Sequence, residues 1–215
     1  YGGFIDRIGL GGAMVGFAVV SVGALALFAA MPQWLAPMVP YSWEQKLGDA
    51  MVGDFGGRLC QTPQGTAALA KLEAKLDKHG EDLDIHVANI EMVNAVALPG
   101  GKIIIFQGLL DEAKSADELA GVLAHEIGHV RRRHVMQSLL RQMGLSFLLG
   151  GIDGQAGGAL NGLLSMAYGR DAERDADNWS IARMADAKID PTDTADFFVR
   201  MGAPQDQDVD GETDG

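Results

Sequence analysis

One cysteine, Cys60, stands in 215 residues. No disulfide can form within the chain, and no cysteine pair is available to hold a metal. A lone Cys behaves most often as a small apolar residue. Basic residues are also short, 17 against 29 acidic ones, for a net charge of −12. Nucleic acid is therefore argued against as a partner, because phosphate binding needs clustered Lys and Arg. The first residue is Tyr1 and not Met, which points to a processed product or an excised fragment. After Arg200 no basic residue follows, while Asp206, Asp208, Asp210, Glu212 and Asp214 do. Residues 202–215 read as an acidic, flexible tail. No internal repeat is visible.

Charge is missing altogether from Ile8 to Trp43. Ile8 to Met31 is rich in Ala, Val, Leu, Gly and Phe and exceeds the ~20 residues a bilayer helix needs. A signal-peptide core is shorter, and Asp6-Arg7 is a weak basic flank. Pro32, Pro37 and Pro40 are expected to end the helix, with Trp34, Tyr41 and Trp43 as interfacial anchors. Residues 1–41 thus read as a single-pass membrane helix with an interfacial segment, in preference to a buried helix of a soluble protein. Arg7 on one side is matched by Lys46 on the other, so orientation is weakly specified. The acidic bulk after the span favours a periplasmic or equivalent non-cytoplasmic face.

Residues 42–201 read as one α+β domain, mainly helical, with a small sheet. Ser42 to Val52 predicts a short helix with Leu47 and Met51 on one face. Thr66 to His79 repeats Leu69, Leu72 and Leu76 at helical spacing and closes at Gly80. Asp84 to Ile90 alternates as a strand does, Glu91 to Leu98 continues extended, and Pro99-Gly100-Gly101 makes a turn into the β-branched run Lys102 to Phe106. Ser115-Ala-Asp-Glu118 is a capping box opening a helix with Leu119, Val122, Leu123, Ile127 and Val130 as its apolar stripe. Arg131, Arg132 and Arg133 follow, read as a solvated or headgroup-facing surface. Leu139 to Leu164 is apolar and Gly-rich, but Arg141 and Asp153 leave runs too short to span a bilayer. A last strong helix runs from about Arg170 to Ala187, bounded by Pro191.

Inside the capped helix lies His125-Glu126-Ile127-Gly128-His129. At 3.6 residues per turn both imidazoles reach one ion, and Glu126 stands beside them to deprotonate a water the metal activates. A hydrolytic zinc site wants three protein ligands and one open position. His134 follows His125 by nine residues, half a turn away on a continuous helix, and is expected to face elsewhere. His79 and His86 read as structural. In Arg170-Asp-Ala-Glu173-Arg-Asp-Ala-Asp177, Glu173 and Asp177 share a face. Glu173 can complete the ligand set while Asp177 accepts a hydrogen bond from a ligand imidazole. Alone, such a helix reads as a solvated charged face; beside His-Glu-x-x-His, the ligand reading leads.

His125 to His129, Asn94-Ala-Val-Ala-Leu-Pro-Gly-Gly101 and Tyr168-Gly-Arg-Asp-Ala-Glu-Arg-Asp-Ala-Asp177 together resemble the M48 family of zinc metallopeptidases, of the gluzincin type, with its BepA-like and Oma1-like members. The likeness covers roughly Glu44 to Met201, three motifs in order. It implies a zincin-like fold with an active-site helix and one Zn²⁺ held by His125, His129 and Glu173. It further implies Glu126 as general base and Asp177 as partner of a ligand histidine. Asn94, Ala95, Ala97 and Pro99 would border a cleft whose edge strand takes extended peptide. Arg170 and Tyr168 are the candidates to stabilise the oxyanion. The implied activity is endoproteolysis of misfolded, membrane or envelope proteins. A zinc-stabilised, client-binding module that cleaves little is the alternative, and a multi-span intramembrane member ranks lower. Imidazole and carboxylate ligands tolerate metals other than zinc. Two departures stand out. Gly169 replaces a usual Ser, and the Ser/Thr-His-Pro segment of related members is missing, since no histidine follows His134.

Overall fold

The computed structural model describes residues 4–78, 83–148 and 168–202. Helix α1, Phe4–Leu35, passes through Pro32 and ends one turn later than the prolines predict. A proline so close to the end disrupts little of the helix beyond it. A 3₁₀ turn, Ala36–Met38, then leads through Pro40 into α2, Tyr41–Gly53. Gly11 to Met38 is long and apolar enough to cross a membrane, and its most apolar 18-residue stretch has no buried residue. Phe17 and Val20 are typical, at 75% and 70% exposed. Soluble surfaces do not carry such a stripe unless something covers it.

Strands β1 (Leu59–Cys60), β2 (Asp84–Ala88), β3 (Ala95–Leu98) and β4 (Lys102–Phe106) form one sheet in the order β1-β2-β4-β3. β2 runs parallel to β4, while β1–β2 and β3–β4 are antiparallel. β3 is therefore an edge strand. β4 reads as an uninterrupted apolar run because both its faces are covered, as buried strands require. Ile103 and Ile105 point to one core with Leu123, Ala124 and Ile127; Ile104 and Phe106 point to another with Met51 and Phe55. The strand period of two makes that division.

Helices α3 (Pro63–Leu76), α4 (Gln107–Glu112), α5 (Ala116–Arg131), α6 (His134–Leu148), α7 (Arg170–Ala187) and α8 (Pro191–Gly202) complete the described chain. α3 starts earlier than its leucines suggest, because Thr62 caps it by accepting from the Gly65 N–H. The Ser115 cap of α5 is confirmed: Ser115 Oγ accepts from the Glu118 N–H at 3.1 Å. Glu118 reaches back to the Lys114 N–H and also receives Arg200 of α8, tying the two helices together.

Four expectations need correction. Residues 89–94 are a loop, not strand, because the Ile90 carbonyl turns to accept from the Gly108 N–H at 3.0 Å. On α2 the buried face is Glu44, Gly48 and Met51, while Leu47 is 41% exposed. The reason is that Gly48 lets the Pro99–Gly101 turn sit on the helix. The arginine run is not a free surface. Arg131 pairs with Asp77, Arg132 with Asp175, and Arg133 with the buried Glu44 at 2.6 Å. Finally, α8 lies past the expected last helix. His79, Gly80 and the stretch 149–164 fall outside the described residues.

A stability prediction follows from the loop. A Cβ at Gly108 would stand 2.0 Å from the Glu91 carbonyl oxygen, a backbone atom that cannot swing aside. Gly108→Ala is expected to cost roughly 1–3 kcal/mol, read as a lowered denaturation midpoint. An unchanged midpoint would show that residues 89–94 move freely.

Candidate metal centre

The geometry begins with how closely two helices approach. α5 and α7 cross where Gly128 faces Ala176, and an added Cβ at Gly128 would meet the Ala176 backbone at 3.2 Å. Small residues at this contact let the acidic face of α7 come up to the histidine face of α5. His125 Nε2 and His129 Nε2 stand 2.9 Å apart. Glu173 Oε2 is 3.3 Å from the first and 3.8 Å from the second. Ligand atoms of a tetrahedral zinc at about 2.1 Å would stand roughly 3.4 Å apart. Two imidazoles and a carboxylate, converging at these separations, fit a zinc ion by chemistry and by spacing. Among the described residues, these three form the cluster of His, Cys, Asp or Glu able to hold a metal.

Around this trio the structure arranges supporting groups. Asp177 Oδ1 lies 2.9 Å from His125 Nδ1, the nitrogen left free for a second partner. The Tyr168 ring stacks on His129, with centroids 3.9 Å apart at 16°. Burial, with the neighbouring His125 and His134 rings, pushes His129 down to about 3. It is neutral at pH 7, the form a metal ligand needs. Burial pushes the Glu126 carboxyl up to about 8, helped by the charge of Glu173, against a hydrogen bond from the Ala97 N–H that lowers it. A cation held at the three donors would act in the lowering direction. Burial also holds the Tyr168 phenol protonated.

The donors open into a cleft of about 510 Å³. Asn94, Ala95 and Ala97 form one wall, and Phe197, Phe198 and Met201 of α8 form another. The edge strand faces this space with its main chain. Asn94 O accepts from the Phe106 N–H, so alternation along an antiparallel pair turns Ala95 and Ala97 away from β4. The Ala97 N–H indeed goes to Glu126.

The model of peptidase family M48 matches residues 63–208. The chain belongs to peptidase family M48. This M48 chain is 34% identical over 131 residues to mitochondrial metalloendopeptidase OMA1 of Schizosaccharomyces pombe, covering 58% of this chain and 39% of that one. It is 27% identical over 135 residues to the beta-barrel assembly-enhancing protease of Yersinia pestis, covering 54% and 27%. With the metalloprotease LoiP of Escherichia coli it shares 25% over 179 residues, covering 72% and 71%. The chain thus spans well under half the length of the first two relatives.

Of the expected site residues, His125, Glu126, His129, Glu173, Asp177, Asn94, Ala95 and Ala97 meet at this one cleft. Two do not join them. Pro99 lines a separate cavity against Tyr41 and Glu44 of α2, because its turn is packed on that helix. Arg170 opens onto another cavity with Arg132, His134 and Asp175, being one turn before Glu173 but off its face. Of the two oxyanion candidates, only Tyr168 therefore borders the cleft. His86 does not line the cleft, and Gln61 Nε2 stands 2.8 Å from its Nδ1.

Sequence reasoning missed two groups. The first is α8, whose Thr194, Phe197, Phe198 and Met201 follow the i, i+3, i+4, i+7 rhythm after Pro191 and could have been read as a helix. The second is His134. It was set aside on the premise of one continuous helix, but α5 ends at Arg131 and Arg133 turns left-handed at φ 55°. The chain doubles back, and His134 Nδ1 lies 3.1 Å from His129 Nδ1. An arginine in that conformation costs roughly 1–2 kcal/mol, so no residue preference announced the break.

Proposed function

We propose that this chain is a zinc-dependent endopeptidase of misfolded, membrane or envelope proteins. One Zn²⁺ would be held by His125, His129 and Glu173. The observation that carries this reading is the convergence of these three donors beside Glu126, at the foot of an edge strand. When bound, zinc supplies a Lewis acid that polarises a carbonyl and lowers the pKa of water toward ~7.

The chain's own residues would do the rest. Glu126 takes a proton from the attacking water and delivers it to the leaving amine nitrogen. Its contact with the Ala97 N–H keeps the carboxylate aimed along the cleft. Asp177 accepts from the His125 Nδ1–H and fixes that ring. The substrate would lie extended along β3, pairing with main-chain groups of that edge beyond the Ala95 and Ala97 N–H groups, which Asn94 and Glu126 engage. Residues 42–201 would make up the zincin-like catalytic domain. Residues 1–41 would anchor it, as the unburied apolar length of α1 supports, and the domain would lie on the non-cytoplasmic face.

Chelator treatment and zinc replacement test the proposal. The full chain in detergent is expected to bind one zinc per molecule and to cleave an unfolded envelope protein. Both properties should be lost with chelator and regained with zinc. Cleavage that persists after the metal is gone would overturn it.

A further inference from the structure

Behind His129 stands a set of groups that the proposed reaction leaves unused. His134 Nδ1 is 3.1 Å from His129 Nδ1, and His134 Nε2 is 3.4 Å from Asp175 Oδ2. Arg132 Nε holds the same carboxylate oxygen at 3.3 Å. The two rings are 1% and 5% exposed, so the contact between them is closed to bulk water, while Asp175 and Arg132 reach the surface.

The chemistry of imidazole fixes where the protons sit. A ring that lends its Nε2 lone pair to a metal carries its proton on Nδ1. The His129 Nδ1–H must then donate, and the atom facing it is His134 Nδ1. That atom accepts only if His134 keeps its own proton on Nε2. The Nε2–H in turn points at the Asp175 carboxylate. Each assignment forces the next. The left-handed turn at Arg133 is what makes the arrangement possible, since a continuous helix would carry His134 half a turn away.

We propose that His134 and Asp175, with Arg132 clamping the carboxylate, form a positioning chain for His129. It holds the ring as the Nδ1–H tautomer and aims Nε2 at the metal. Neither residue touches ion or substrate. The two histidine ligands are thereby backed differently. His125 leans directly on the carboxylate of Asp177, whereas His129 leans on a neutral ring that relays to a carboxylate. This inference rests on the zinc-site reading above.

Zinc affinity of the full chain, measured by competition with a chelator, tests it with two substitutions. His134→Asn keeps an oxygen where Nδ1 was and can still accept from His129. His134→Phe keeps the ring volume and accepts nothing. Loss of an outer-shell partner typically weakens metal binding 10–100-fold, and that loss is expected for Phe and not for Asn. A ring that merely fills space predicts the reverse, with Phe tolerated and Asn damaging. Zinc bound by the Phe variant at wild-type strength overturns the positioning chain alone. Wild-type protein that takes up no zinc overturns the metal site together with it. Should the Phe variant not fold, nitrogen-15 ring spectra of the zinc-loaded wild type decide. His129 is expected as the Nδ1–H form and His134 as the Nε2–H form, and a proton on His134 Nδ1 overturns the proposal.

Discussion

Glu126→Gln is expected to slow peptide hydrolysis by about 10²–10⁴-fold while the chain keeps its zinc. The substitution changes little besides the chemistry. Gln matches the carboxylate in shape, and its Oε1 can still accept from the Ala97 N–H that aims the side chain. What it cannot do is take a proton from water at neutral pH. Glu126 is not one of the three donors, so His125, His129 and Glu173 should still hold the zinc. The measurement pairs metal content with cleavage kinetics on the same preparation. Cleavage at the wild-type rate would assign the base elsewhere. Reduced metal content would mean that Glu126 acts on the ion's surroundings, not on the proton.

The second large effect concerns the ion itself. His129→Ala is expected to abolish stoichiometric zinc binding and, with it, hydrolysis. Three ligands are the minimum found in catalytic zinc sites, so losing one leaves a two-donor fragment. Here the loss is compounded. His129 is the most deeply buried of the three donors, at 1% exposed, and its ring is the surface on which Tyr168 stacks. Alanine would strip a wall from the cleft and leave His134 Nδ1 facing a void. Metal analysis beside a circular dichroism spectrum separates loss of the ion from loss of the fold. Zinc retained at one per chain would mean that a different set of donors holds it.

How far these residues could be foreseen varies by element, for physical reasons. The α5 helix was legible because several signals agree there: a Ser115–Glu118 cap, an apolar stripe and two histidines one turn apart. β4 was legible because Ile-Ile-Ile-Phe fits only a strand covered on both faces. Glu173 and Asp177 were visible as a pair, since spacing alone puts them on one face of α7. What spacing could not reveal was contact between distant segments. That α7 meets α5 depends on Gly128 fitting against Ala176, a packing fact with no periodic signature. Pro99 looked like a cleft residue by its place in the motif, yet the turn it opens is claimed by α2. His134 shows the sharper failure. Counting residues assumes an unbroken axis, and a single left-handed arginine sends the next ring back to its neighbour.

β3 carries a last consequence. At Ala95 and Ala97 its main chain turns away from β4 toward the cleft, while both side chains are buried. If substrate adds to β3 as proposed, a grip made mostly of main-chain groups would be indifferent to composition but strict about shape. Any segment entering must surrender its own internal hydrogen bonds and lie straight, and a folded protein gives that up only by local unfolding. Such an enzyme would sort its clients by how readily they come apart, with susceptibility set by the client's stability more than by its cleavage-site residues.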